Sequence, residues 1–186
     1  QNNLNISDQL FRYGVRINAD LIEDLRSAEI PIVTGYSNNM PQQDFFTWPY
    51  YPILYSERKH ILSRNIDGVL CDFTSSIDLI KNDIKKTILL ESSKNSRLLL
   101  TPAQVSLQIL RNPPPQSNYN QGRKIIAVLL EGNFESVFKN RILPKKHSKI
   151  NFLEKSIDNK MIVISDGDLI ANKVSEKGNI YPLGYD

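Results

Sequence analysis

The run Ile125-Ile126-Ala127-Val128-Leu129-Leu130 and the later Met161-Ile162-Val163-Ile164, which ends in Ser165-Asp166-Gly167-Asp168, decide how this chain reads. Neither run alternates apolar with polar residues. Each is short, apolar throughout and closed by a turn signal, the pattern of a strand buried on both faces. Two such runs predict parallel neighbours within one sheet. Working outward, Val69 to Phe73 reads as a strand with Val69, Cys71 and Phe73 on one face, and Thr87 to Leu90 as another. Asn5 to Tyr13 reads as a short helix with Ser7 as a possible cap and Gly14 as its stop, followed by an extended piece from Val15 to Ile17. Asp20 to Arg26 sets Leu21, Ile22 and Leu25 at helical spacing, and a third short helix is expected around Glu135 to Asn140. The expected class is α/β: a mixed sheet with flanking short helices.

One part stands outside that scheme. Ile30-Pro31-Ile32-Val33 reads as a strand whose proline favours an edge position. Gly35 to Pro41 is a polar turn region around Ser37-Asn38-Asn39, and Phe45 to Tyr55 is dense in aromatic residues broken by Pro49 and Pro52. The two extended pieces predict a protruding β-hairpin. Strand alternation turns about half of its rings into the core and leaves a minority exposed. The exposed ones suit a carbohydrate platform or a protein-docking surface, because Trp and Tyr offer large rigid contact area. Of the remainder, Ala103 to Leu110 fits a short helix or a strand, Asn112 to Gly122 is a loop that begins with three prolines, and Leu143 to Asn159 is a basic, mobile stretch.

Composition narrows the function. Ile, Leu, Val and Phe make up nearly a third of the 186 residues, enough for one folded domain. The net charge is +3, from 23 basic and 20 acidic residues, which lacks the basic excess of a nucleic-acid surface. No apolar run approaches the ~20 residues of a membrane span. Cys71 is the one cysteine and His60 and His147 the two histidines, so a cysteine zinc site and an internal disulfide are excluded. Beginning at Gln1 rather than Met, the chain reads as a single soluble domain excised from a larger protein.

No catalytic arrangement emerges. There is no Gly-x-Ser-x-Gly elbow, no glycine-rich phosphate cradle, and both histidines lie in solvated basic stretches. Cys71, within a strand, reads as a buried, inert thiol. The sharpest local signal is Ser165-Asp166-Gly167-Asp168 at the end of an apolar strand, where ligands bind in open α/β sheets. Its bland reading is that Asp166 or Asp168 caps the next helix while Gly167 permits the turn. Candidate binding residues are therefore Ser165, Asp166 and Asp168, with Trp48, Tyr50 and Tyr51 nearby; no catalytic residue, metal or cofactor is expected. The basic stretch Lys139 to Lys149 reads as a solvated loop, or as a surface near anionic lipid headgroups.

Several segments resemble a known family in order along the chain: Leu10 to Asn18, Ile30 to Gly35, Phe73 to Asp78, Ala127 to Gly132, Phe134 to Arg141, Met161 to Asp168 and Pro182 to Asp186. Together they resemble the GldG family, the gliding-motility-associated auxiliary components of bacterial ABC transporters. The resemblance implies a non-enzymatic domain on the periplasmic side of the inner membrane, anchored by helices outside this segment. It implies partnership with ABC permease and ATPase subunits, by protein–protein interaction, and a three-layer, glutamine-amidotransferase-like fold without catalytic residues. A small-ligand or carbohydrate-binding module of a transport system is the alternative.

Overall fold

The computed structural model describes residues 6–56, 60–140, 152–175 and 177–182. Its elements are α1 (Ser7–Tyr13), β1 (Val15–Ile17), β2 (Asp20–Asp24), β3 (Ser27–Ser37), β4 (Met40–Leu54), β5 (Val69–Leu70), β6 (Ile77–Leu79), β7 (Lys85–Glu91), β8 (Ser96–Leu100), α2 (Gln108–Arg111), β9 (Ile125–Gly132) and β10 (Asn159–Ile164). The molecule is mostly β-sheet with few, short helices.

The two apolar runs are β9 and β10, and they are neighbours, with Met161 opposite Leu130 and Val163 opposite Val128. They run antiparallel, as do β9 and β7, which corrects the parallel expectation. The connection from β9 passes through residues 133–140 as a turn, with Glu135 bridged to Lys155, so the helix expected around Glu135 to Asn140 does not form. The expected mobile basic stretch and the basic run from Lys139 to Lys149 lie largely outside the described residues.

Burial explains the apolar texture of β9. Val128 and Leu130 face a core built from Leu10, Tyr13, Val15, Ile77, Phe134 and Val163. Ile126, Ala127 and Leu129 face a second, with Ile22, Leu54, Cys71, Leu89 and Leu90. A strand covered on both sides has no polar face to display. On the first side α1 stops as expected: Gly14 takes φ 96°, and a Cβ there would collide with the Lys86 and Asn82 side chains. Ile6 rather than Ser7 occupies its N-cap, with no side-chain cap bond.

Asp20 to Asp24 is a strand, not a helix. It pairs with β8 and is buried at all five residues, so its acids lie inside the protein. Each has partners that hold it there: Asp20 accepts from the Ser76 N–H (2.7 Å) and hydroxyl, Asp24 from the Ser93 N–H (2.6 Å) and the Arg26 N–H (2.8 Å). Val69 to Phe73 forms a strand only at Val69–Leu70; Cys71 is buried while Phe73 turns out at φ 55°.

The hairpin is present as an arm. β3 and β4 pair from Ser27 opposite Pro52 to Ser37 opposite Met40, closed by Asn38 and Asn39 at φ 49° and 66°. Two successive left-handed residues make the tight turn that matches strand twist, and Asn tolerates that conformation. At its base β4 is buried at alternate residues, Trp48, Tyr50, Pro52 and Leu54; from Met40 to Phe45 it is exposed throughout.

Candidate functional site

Beyond β10 the chain enters the turn that the sequence singles out, and hydrogen bonds occupy most of it. Ser165 donates its N–H to the Ile126 carbonyl (3.1 Å) and its hydroxyl to the Ser75 carbonyl (2.6 Å). The Asp166 carboxylate is 9% exposed and accepts three backbone N–H groups: Asp72 on one oxygen (2.8 Å), Asp168 (2.8 Å) and Leu169 (3.2 Å) on the other. Asp168 contributes its N–H and points an exposed residue to solvent. The capping group is thus Asp166, and what it caps is a turn. Asp166→Ala is expected to cost about 1–3 kcal/mol, because it strands the Asp72 N–H. Asp168→Ala should stay within about 0.5 kcal/mol. Urea midpoints of the two variants check both.

The electrostatics agree with a closed structural turn. Burial raises the Asp72 carboxyl pKa, with the Asp166 charge adding to it and Lys173 opposing it. One Asp72 oxygen is buried without a hydrogen-bond partner. Burial, then the neighbouring Asp166, pushes the Cys71 thiol far up, the opposite of a nucleophile's environment. Among the described residues no group of three His, Cys, Asp or Glu gathers to hold a metal.

The aromatic candidates separate. Trp48 and Tyr50 are 5% and 3% exposed, packed edge-to-face at 5.0 Å in a core with Leu21. Burial, then the Glu23 charge, pushes the Tyr50 hydroxyl up to about 12. Tyr51 alone approaches the strand-end turn: it is half-buried, edge-on to Phe73 at 5.1 Å, and feels the charges of Asp72 and Asp168. The structure therefore sets Tyr51 near Asp72 and Asp168, and buries Trp48 and Tyr50 in a separate core.

Two features escaped the sequence. Glu23 is fully buried, yet it accepts from Arg97 Nε and from the Tyr119 hydroxyl (3.0 Å), while the Arg97 guanidinium lies over the Tyr119 ring. Close by, a cavity of about 300 Å³ opens between Phe46, Pro49, Leu110, Pro113, Pro114 and Tyr119, beneath the base of the arm. Residue spacing carries no sign of either, because the partners lie 74 and 96 residues from Glu23.

The arm is the largest exposed feature with a coherent chemistry. Val33 and Phe45 lie on its outer face, 47% and 65% exposed, and Tyr36 and Met40 near its tip, 76% and 72% exposed. From Ser27 to Leu54 there is no Lys or Arg and only two acids, Glu29 and Asp44; Asp44 accepts the Thr34 hydroxyl at 2.6 Å. From Ile32 to Gln43 there is no charge at all, in a chain of which 23% is charged. An exposed apolar patch of this kind marks an interaction surface.

The whole chain, residues 1–186, matches the family described as ABC-type uncharacterized transport system, an auxiliary family of ABC transport. The chain belongs to that family. No curated protein and no solved structure matches it. The family is an auxiliary one and not a known enzyme family, and it belongs with membrane-associated transport systems. Among the described residues of this family member, no helix is long and apolar enough to cross a membrane.

Proposed function

We propose that this domain is a non-enzymatic, extracytoplasmic module of an ABC transporter complex required for gliding motility, acting by protein–protein docking through the β3–β4 arm. The observation that carries the reading is the arm itself: a projection that carries no charge from Ile32 to Gln43 and exposes Tyr36, Met40 and Phe45, on a body whose conspicuous polar clusters are spent on internal hydrogen bonds. Membership of the ABC-transport auxiliary family supports the transport setting. The resemblance to gliding-motility components supports the pathway, a periplasmic location at the inner membrane, and permease and ATPase subunits as partners. Ser165 and Asp166 would then serve to brace the end of β10, and Trp48 and Tyr50 to anchor the arm's base.

The test is co-purification of the permease and ATPase with the full-length, membrane-anchored protein from native membranes. Met40→Glu combined with Phe45→Glu is expected to reduce their recovery at least about tenfold, since desolvating two charges in a contact costs several kcal/mol. Both positions are exposed, so the melting temperature should not change. Equal recovery with the double variant would remove the arm from the interface.

A further inference from the structure

The cavity beneath the arm is walled from two parts of the fold. Phe46 and Pro49 come from β4, and Leu110, Pro113, Pro114 and Tyr119 from the segment that follows β8. Much of this apolar wall is only half-buried, Leu25, Phe46, Pro49, Leu110 and Pro114 among it. Tyr119 is held in place: its hydroxyl donates to the buried Glu23 (3.0 Å), and the Arg97 guanidinium lies over its ring.

We infer that this cavity is a binding site for a free, neutral, bicyclic aromatic molecule. An apolar cavity of about 150 Å³ takes one benzene ring, so one of about 300 Å³ takes two fused rings. Charge excludes ions. Among the described residues no basic side chain lines the cavity, and the one acid, Asp24, is 0% exposed and already accepts the Arg26 N–H and the Ser93 N–H and hydroxyl. Polar capacity excludes sugars. Thr47 and Gln116 are the side chains with hydrogen bonds to offer, too few for a ligand with a hydroxyl on nearly every carbon. Rigidity favours a ring over an alkyl chain. Proline and aromatic walls do not mould themselves around a flexible tail, which would also lose its rotamer freedom, whereas a flat ligand packs against Phe46 and Tyr119 at little entropic cost. An occupant touches β4 and the Pro113-Pro114 segment together, and so ties the base of the arm to the body. The site shares no residue with the exposed tip of the arm or with the Ser165–Asp168 turn.

Methyl-resolved NMR titration of the 186-residue chain with indole tests this. The expected result is saturable shifts of the Leu25, Ile109 and Leu110 methyl signals, with a dissociation constant of about a millimolar or tighter. Intermolecular Overhauser contacts should run from indole to Leu110 and Phe46. Leu110→Trp, which fills the volume, should weaken indole at least about tenfold, and the Overhauser contacts fix the location even if that variant fails to fold. Tryptamine and methyl glucoside should also bind at least about tenfold more weakly than indole, the first for its charge and the second for its hydroxyls. Shifts that do not saturate, contacts to another surface, or a folded Leu110→Trp protein that binds indole unchanged would each overturn the inference. So would 1-octanol binding as tightly as indole. N-acetyltryptophanamide binding more tightly than indole would overturn it too, by assigning the ring to a protein partner.

Discussion

Ile126→Asp is expected to abolish folding: a random-coil circular dichroism spectrum at room temperature and collapsed dispersion in the proton NMR spectrum. Ile126 is 0% exposed and packs among Ile22, Leu54, Leu89, Leu90 and Leu129. Its carbonyl also receives the Ser165 N–H, which fastens the end of β10 to the centre of the sheet. A carboxylate there meets no cation and no donor within that apolar cluster. Domains of this size hold about 5–15 kcal/mol in total, and an unpaired buried charge consumes most or all of it. The control is Ile126→Val, which removes one methylene and should cost about 0.5–1.5 kcal/mol while keeping the native spectrum. A native-like Ile126→Asp protein would show that β9 is not the centre of the core.

The second large effect is expected from Arg97→Ala, a loss of about 3–5 kcal/mol in urea unfolding. Arg97 is the cation that Glu23 has in its fully buried site, and the Glu23 hydrogen bond is the largest of the influences that raise the Arg97 pKa. Removing the arginine leaves the carboxylate with the Tyr119 hydroxyl and no counter-charge. The loss comes from stranding that charge, not from the intrinsic worth of the pair. Exchanging both partners for apolar residues, Glu23→Leu with Arg97→Met, should therefore recover most of the stability. Equal damage from Arg97→Ala and from the double exchange would contradict this account.

Particular residues show where sequence reasoning held and where it failed. The arm was legible because its signals are local: an edge-compatible Pro31, the Asn38-Asn39 turn and the proline-broken aromatic run from Phe45 to Tyr55. The helix expected over Asp20 to Arg26 failed because Leu21, Ile22 and Leu25 fit helical spacing while acids between them argue for an outer face. Those acids are instead buried against Ser76, Ser93 and Arg97, partners from distant parts of the chain. The direction of β10 was equally illegible. A strand buried on both faces looks the same in sequence whether its neighbour is parallel or antiparallel, and only the observed pairing of β10 with β9 decides.

By itself the sequence determined the existence of β9, β10 and the arm, the αL stop at Gly14, and the lack of a local catalytic motif. These follow from side-chain period, turn chemistry and residue type, which act over a few residues. Tertiary structure alone decided that the sheet is antiparallel, that Asp166 rather than Asp168 caps the turn, and that Trp48 and Tyr50 are core. It also brought Glu23, Arg97 and Tyr119 together. Each of those outcomes depends on which distant backbone N–H, cation or apolar face arrives opposite a residue, and that is settled only when the three cores close.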